Sequence, residues 1–233
     1  MDTWGICSVN ASALRTLFDA MGAVASMVII KYNSGELYLY TKSQDPKWKG
    51  LKAVAVLRTP VHPQAFCSKL HIPTSRSVLK MAHPREGIHI DCTEEETVLR
   101  WRQQTHRMPH LGLSVREDDM VLTESLAEFE LENTLECLRF CREIVDSEVH
   151  FVSDGDKLLL TNPGDLCTST LRMKTKSEVL PRFNVVCNTA DVVKACKSNV
   201  YAPSASLVIH RTAVIFYFER SDGHLKVVVP AQY

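Results

Sequence analysis

Two arginines on a predicted helix have the type and spacing to bind an anion. Residues 133–145 read NTLECLRFCREIV, in which the apolar side chains share one broad arc of an amphipathic helix. Arg139 and Arg142 are three residues apart on the other side, with Glu136 and Glu143 beside them. This basic face could attract phosphate groups, and the alternative is an ordinary solvated helix face.

Three further predicted helices, at residues 10–21, 73–82 and 188–198, also place cations off their apolar stripes. These cations are Arg15, Arg76, Lys80, Lys194 and Lys197. The chain contains 27 Lys and Arg against 27 Asp and Glu, so its formal net charge is zero. Any contact with nucleic acid must therefore come from local clustering of cations.

The sequence contains no pattern typical of a catalytic or metal site. The nine histidines are scattered, without the spacing of a zinc protease, and no nucleophile elbow or glycine-rich phosphate loop is present. The acidic runs at residues 94–96 and 118–119 fall in predicted loops, where solvated charge is the better interpretation. We expect no enzyme activity, no cofactor and no bound metal.

The eight cysteines form no C-x-x-C pair, and most lie in apolar surroundings. Cys137 and Cys141 are four residues apart and could share a metal, but no second pair of ligands is suitably spaced. Buried, reduced thiols and an intracellular location are therefore expected. The N-terminus lacks the features of a signal peptide, and no apolar run approaches the length of a membrane span.

The order of predicted elements is the same in the two halves of the chain. Each half reads β-α-β-β-β-β-α-β-β-β. Strands of the first half are predicted at residues 4–8, 27–32, 36–41, 52–58, 65–70, 87–92, 98–103 and 110–115. Strands of the second half are predicted at residues 127–131, 148–152, 157–161, 169–174, 182–187, 206–210, 214–220 and 225–230.

Between the halves, residues 116–125 read REDDMVLTES and are interpreted as a linker. The repeated order predicts an α+β fold of two duplicated domains, each an antiparallel sheet backed by two helices. The domains are placed at residues 1–115 and 126–233. Sequence identity between the halves is slight, so the order of elements is the evidence.

Short motifs in this order resemble the sliding clamps of the proliferating cell nuclear antigen family. Residues 138–144, LRFCREI, are similar to the family's Arg-x-Cys-Arg-Asp helix, and residues 222–226, DGHLK, to its Gly-His-Leu-Lys segment. Residues 77–82, SVLKMA, resemble its second helix. The resemblance covers essentially the full length, although each motif is short.

The resemblance implies a ring that encircles duplex DNA, with the helices lining the hole and the sheets forming the wall. Such a clamp tethers a DNA polymerase and other replication or repair proteins, is placed on DNA by a clamp loader, and acts in the nucleus or at a viral replication site. The positions matching the family's DNA-facing cations are Arg15, Lys80, Arg139, Arg142 and Lys197, with Arg76 and Lys194 as weaker additions. They would attract phosphate without reading bases.

The resemblance also implies a pocket on the outer surface for partner peptides. We expect it between residues of the linker and of the last strand, namely Met120, Val121, Leu122, Val228, Val229 and Pro230. The family's pocket is poorly reproduced here, because the linker is short and the family's proline on the adjacent turn is replaced near Thr212. A divergent clamp, such as a viral one, would fit this pattern.

Two strands are expected to join neighbouring subunits head to tail, by the same resemblance. They are residues 110–115 of the first half and 169–174 of the second. The expected contact residues are His110, Leu111, Leu113, Val115, Leu171 and Met173. A closed homotrimer is predicted, and the alternatives are a monomer or a subunit of a heteromeric, checkpoint-type ring.

Overall fold

The chain folds into two compact units. The computed structural model describes residues 4–43, 50–60, 65–93, 95–109, 111, 125–131, 134–143, 147–155, 157–163, 168–173 and 181–232. The first unit comprises Met1–Lys42, Ala53–Asp118 and Arg220–Leu225, and the second comprises Ser43–Lys52, Asp119–Glu219 and Lys226–Tyr233. Each unit therefore includes a short segment from a distant part of the sequence.

The first unit is built from two helices and antiparallel strands. Its elements are β1 (Trp4–Asn10), α1 (Ala11–Met21), β2 (Met27–Asn33), β3 (Glu36–Lys42), β4 (Lys52–Arg58), β5 (Phe66–His71), α2 (Ile72–Leu79), β6 (Gly87–Cys92), β7 (Glu96–Trp101) and β8 (Gln104–Pro109). One run of paired strands has the order β5-β2-β3-β4, and a separate sheet has the order β1-β6-β7-β8.

The second unit repeats this construction. Its elements are β9 (Ser125–Leu131), α3 (Thr134–Glu143), β10 (Glu148–Ser153), β11 (Leu158–Pro163), β12 (Thr168–Met173), β13 (Phe183–Asn188), α4 (Thr189–Cys196), a 3₁₀ helix (Lys197–Val200), β14 (Ala205–His210), β15 (Ala213–Arg220) and β16 (Gly223–Pro230), of which the residues up to Leu225 belong to the first unit. The strand orders are β12-β11-β10-β13 and β9-β14-β15-β16. The predicted α+β class and the repeated order of elements are confirmed.

Helix α1 shows why the sequence pattern was sufficient to predict the helices. Asn10 caps its first turn, because Asn10 Oδ1 accepts hydrogen bonds from Ser12 N at 2.9 Å and Ala13 N at 3.4 Å. Leu14, Leu17, Phe18 and Met21 of the apolar stripe are each at most 1% exposed. Burial of such side chains contributes roughly 1.5–3 kcal/mol each, which fixes the helix on its sheets.

The last hairpin of the first unit lies earlier in the chain than predicted. β7 pairs with β8 from Trp101–Gln104 to Glu96–Pro109, and Arg102 makes the turn with a φ of 49°. The turn residues Arg102 and Gln103 include none of the usual turn formers, so the sequence did not signal the turn. The predicted strand at residues 110–115 is wrong at Leu111, which lies in no strand, and the rest of that range lies outside the described residues.

A segment from near the C-terminus completes the first unit. Arg58 N donates a hydrogen bond to Asp222 O at 2.9 Å. Gly223 packs so closely on β4 that a Cβ atom there would lie 2.0 Å from the carbonyl oxygen of Val56. Only glycine allows this backbone approach.

Candidate functional site

The candidate DNA-binding cations lie on two helix layers, one in each unit. α1 packs against α2 in the first unit, and α3 packs against α4 in the second. Helix α4 of the second layer has the same type of N-cap as α1 of the first, because Asn188 Oδ1 accepts a hydrogen bond from Ala190 N at 2.9 Å. Asn133, the first residue of the helix predicted at residues 133–145, lies outside the described residues.

Arg15 forms an internal contact of the first unit. Its Nη2 atom donates hydrogen bonds to the carbonyl oxygens of Leu79 at 2.7 Å and Ala82 at 2.8 Å. Leu79 is the last residue of α2 and Ala82 lies in the turn that follows, at the end of the helix that carries a partial negative charge. The half-buried guanidinium therefore ties α1 to the end of α2.

Arg76 forms the second contact between the same helices. Its Nε atom lies 2.5 Å from Asp19 Oδ1 of α1, with the two side chains 40% and 34% exposed. Lys80 follows α2 directly and is exposed. Of the three cations predicted on this layer, Lys80 alone has a side chain without a hydrogen bond or ion pair to the described residues.

The second layer presents its cations differently. Arg139 and Arg142 of α3 and Lys197, the C-cap residue of α4, are exposed, and their side chains make no ion pair with any described residue. Lys194 is less exposed, at 27%, and its Nζ atom lies 3.9 Å from Asp191 Oδ1. Glu136 and Glu143 are also exposed on α3. The positive charge of this layer is therefore local rather than uniform.

The predicted docking residues of the last strand point to opposite faces of β16. Val228 is 5% exposed and forms an apolar cluster with Ala213 and Ile215, against which Val208 packs. Val229 is completely buried, so its predicted contact with a partner is not supported. Pro230 is half-buried, and Met120, Val121 and Leu122 lie outside the described residues.

The equivalent sheet of the first unit carries ion pairs in place of that apolar cluster. Arg100 Nε lies 3.0 Å from Asp91 Oδ2, and the Asp91 side chain is only 3% exposed. Arg107 pairs with Glu96 across β7 and β8. The two sheets therefore differ in the side chains that they carry although the order of their strands is the same.

In the described residues, each four-stranded sheet has two terminal strands, and β8 and β12 are one of each pair, with β1 and β13 at the other ends. β8 is the last strand of the sheet β1-β6-β7-β8, and β12 is the first of the sheet β12-β11-β10-β13. On β12, Leu171 is half-buried and Met173 is 7% exposed. Leu111 is 40% exposed, whereas His110, Leu113 and Val115 lie outside the described residues. The prediction missed residues 104–109 as the edge of the first unit.

A groove of about 410 Å³ lies on the second unit, between β9, β14 and β15. Its lining includes the carboxylates Glu130 and Glu219 together with Ser206 and Tyr217, and Lys226 Nζ lies 5.4 Å from the centre of the Tyr217 ring. No His or Cys lines this groove. Within the described ranges, no three His, Cys, Asp or Glu side chains are arranged to hold a metal ion.

Most of the described cysteines are buried free thiols. Cys92, Cys137, Cys141, Cys187 and Cys196 are buried, and Cys67 is exposed. Burial raises the pKa of the Cys92 thiol to about 11. A hydrogen bond with Cys137 and burial raise the pKa of the Cys141 thiol. The predicted burial is confirmed for these five, whereas Cys67 is exposed, and the reduced state stays a prediction.

Comparison with solved structures gives a consistent match over the full chain. Proliferating cellular nuclear antigen from Entamoeba histolytica matches with a TM-score of 0.85 and 10% identity, covering 100% of both chains. A chain of the PCNA2–PCNA3 complex from Sulfolobus tokodaii matches with a TM-score of 0.80 and 14% identity, covering 98% of this chain and 99% of that one. This chain has the sliding-clamp fold.

A third clamp structure matches the same fold, and the comparisons by sequence gave no match. A. fulgidus PCNA, solved with the C-terminal region of FEN-1, matches with a TM-score of 0.80 and 12% identity, covering 98% of each chain. No family profile and no curated protein match the sequence. In the described residues of this clamp fold, no helix has the length and apolar character needed to cross a membrane.

Proposed function

We propose that this chain is a subunit of a DNA sliding clamp, a non-catalytic ring that encircles duplex DNA and tethers a DNA polymerase and other replication or repair proteins. The match to clamp structures across 98–100% of the chain carries the proposal. The exposed cations Lys80, Arg139, Arg142 and Lys197 support it, because they could attract phosphate without reading bases. The proposal includes a clamp loader that places the ring on DNA. It also includes action in the nucleus or at a viral replication site.

The proposed ring is a homotrimer closed by strand pairing between neighbouring copies. β8 and β12 offer unpaired edges in the described part of each sheet, and two different edges give a head-to-tail contact. Leu171 and Met173 would pack against residues near β8 and Leu111. Sedimentation equilibrium should then give about three times the 26.2 kDa mass of the chain.

Partner proteins would dock on the outer face of the second unit. Val228 and Pro230 are the described residues that we assign to this surface, and the linker residues Met120, Val121 and Leu122 remain a prediction. The structure of A. fulgidus PCNA was solved with a segment of FEN-1, which is the kind of partner segment that we envisage here.

A threading experiment tests the ring function without a loader. A linear duplex with open ends allows a closed ring to slide on, whereas a duplex blocked at both ends by streptavidin does not. We expect binding to the open duplex at low salt and a loss of at least tenfold with both ends blocked. Equal binding to the two duplexes would contradict encirclement and indicate a protein that binds DNA from the side.

A second candidate is a subunit of a heteromeric ring. One of the matching structures is a complex of two different clamp chains, PCNA2 and PCNA3. The β8 edge of this chain is mainly polar, with exposed Gln104, Thr105 and Arg107, which gives little apolar area for self-association. A monomeric mass at micromolar concentration would favour this candidate over the homotrimer.

A further inference from the structure

We propose that the cations of the two helix layers have separate roles. In the first unit, Arg15 and Arg76 hold α1 against α2 and add little to DNA binding. In the second unit, Arg139, Arg142 and Lys197 make the main contacts to DNA phosphate. This inference rests on the proposed clamp function and goes beyond it, because the resemblance treats all of these cations as one DNA-facing set.

Arg15 is committed to the backbone of its own unit. Its two hydrogen bonds, at 2.7 and 2.8 Å, satisfy the carbonyl oxygens of Leu79 and Ala82 where α2 ends. A phosphate could recruit the same Nη2 atom only by displacing these bonds. The Ala82 carbonyl would then lose its Arg15 donor, and the Leu79 carbonyl would keep the hydrogen bond from Ala82 N at 3.2 Å. Arg15 is therefore a positioning residue for the end of α2 and for the adjacent Lys80.

Arg76 is neutralised by its neighbour. Asp19 Oδ1 lies 2.5 Å from Arg76 Nε, so an approaching phosphate meets an ion pair rather than a single positive charge. The attraction of a phosphate to the arginine is offset by its repulsion from the carboxylate at nearly the same distance. Of the three cations on this layer, Lys80 alone has a side chain without a hydrogen bond or ion pair to the residues that the structure describes.

The arginines of α3 are placed to act together. At about 100° per residue, Arg139 and Arg142 lie about 60° apart on the exposed surface. Glu143 and Glu136 both fall beyond Arg139, on the side away from Arg142, and neither forms an ion pair with an arginine. Among the described residues of α3, Arg142 therefore lies farther from the carboxylates than Arg139, and we assign it the stronger phosphate contact of the pair. Lys197 adds a third exposed cation from the neighbouring α4.

The test compares two double variants that each remove two positive charges. Arg15→Ala with Arg76→Ala removes the contacts inside the first unit, and Arg139→Ala with Arg142→Ala removes exposed cations of the second. The probe is an open-ended duplex, and the measurement is the slope of log Kobs against log salt concentration. Each lost phosphate contact lowers the magnitude of that slope by about 0.9.

We expect the Arg139/Arg142 variant to lower the slope by about 1.8 with an unchanged Tm. The Arg15/Arg76 variant should keep the slope and lower the Tm by roughly 2–8 °C, because it removes the hydrogen bonds of Arg15 and the ion pair of Arg76 that hold α1 against α2. Among the single variants, Arg142→Ala should weaken binding more than Arg139→Ala.

The outcomes separate this inference from the clamp function. Equal slope losses in the two double variants would overturn the division of roles while leaving DNA encirclement intact. An unchanged slope in both variants would remove the helix layers as the DNA surface, which contradicts both proposals. If the Arg15/Arg76 variant fails to fold, Arg76→Ala alone leaves the Arg15 contacts in place and still has to keep the wild-type slope.

Discussion

The two helix layers share one architecture and use their cations differently. In the first unit, Arg15 and Arg76 contact the neighbouring helix through 2.5–2.8 Å interactions. In the second unit, Arg139 and Arg142 remain exposed without such contacts. A basic residue off the apolar stripe of a helix is therefore not necessarily a residue that binds phosphate. A nearby carbonyl oxygen or carboxylate can bind its side chain instead.

The equivalent sheets of the two units, β1-β6-β7-β8 and β9-β14-β15-β16, also differ in their side chains. The first unit carries the ion pairs Asp91–Arg100 and Glu96–Arg107, whereas the second carries the apolar cluster around Ile215 and Val228. Because the strand order is the same, the difference lies in side chains alone. We therefore place both proposed binding surfaces, for DNA and for partner proteins, mainly on the second unit. In the first unit, the arginines of the helix layer and of this sheet form contacts within the unit instead.

The largest effect on stability is expected from Gly223→Ala, which disrupts the packing of residues 220–225 on the rest of the first unit. The added Cβ would lie 2.0 Å from the carbonyl oxygen of Val56, a backbone atom that cannot move alone. We expect a loss of at least about 3 kcal/mol in the free energy of unfolding, measured by urea denaturation. Gly87→Ala is the control, because its Cβ would meet the Ser8 hydroxyl at 3.3 Å. Equal losses in the two variants would refute the close-approach argument.

Arg100→Ala tests whether the ion pairs of the first unit are structural. It would leave the Asp91 carboxylate, 3% exposed, without its partner 3.0 Å away. We expect a loss of about 2–3 kcal/mol, below that of a fully buried pair because Arg100 itself is half exposed. Arg107→Ala, whose partner Glu96 is 24% exposed, should cost at most about 1 kcal/mol. Similar costs for both would remove the distinction between the two pairs.

Val228→Ala tests the apolar face of the second unit. The lost methyl groups should cost about 1.5 kcal/mol of stability and also weaken the binding of a partner segment of the proposed kind, for which the C-terminal region of FEN-1 is the probe. Val98→Ala is the matched control, since Val98 of β7 is 2% exposed in the other unit. It should show a similar loss of stability with unchanged peptide affinity. Unchanged affinity in Val228→Ala would exclude docking at this cluster.

The smallest effect on stability is expected from Cys67→Ser. Cys67 is exposed, whereas Cys92 is buried with a pKa raised to about 11. At pH 8 a thiol reagent followed by peptide mapping should label Cys67 rapidly and Cys92 slowly, because the thiolate is the reactive form. The substitution should change stability by less than about 0.5 kcal/mol. Rapid labelling of Cys92 would show that the first unit opens locally.

The sequence could predict the elements whose signals are local. The apolar stripe of α1 and the caps Asn10 and Asn188 depend on residues within a few positions of each other, and the structure contains them. The β7–β8 hairpin was misplaced because its turn at Arg102 has no local signal. Strand alternation could have separated Val228 from Val229, since neighbouring residues of a strand face opposite sides.

The roles of the cations could not be predicted in the same way. The acceptors of Arg15 are the carbonyl oxygens of Leu79 and Ala82, which are 64 and 67 residues away in sequence. Such a contact exists only after the two helices have packed, so residue type and helical phase leave it undetermined. Asp19 and Arg76 likewise come from different helices.

The segment at residues 220–225 has a consequence for the order in which the chain can fold during synthesis. It belongs to the first unit, where Asp222 O accepts the hydrogen bond of Arg58 N and Gly223 packs on Val56. On the ribosome, the first unit can therefore form these contacts only after almost the entire chain has emerged. For the same reason, a fragment that stops at residue 118 lacks a part of its own unit, and cutting the chain between its halves would not yield two complete folding units.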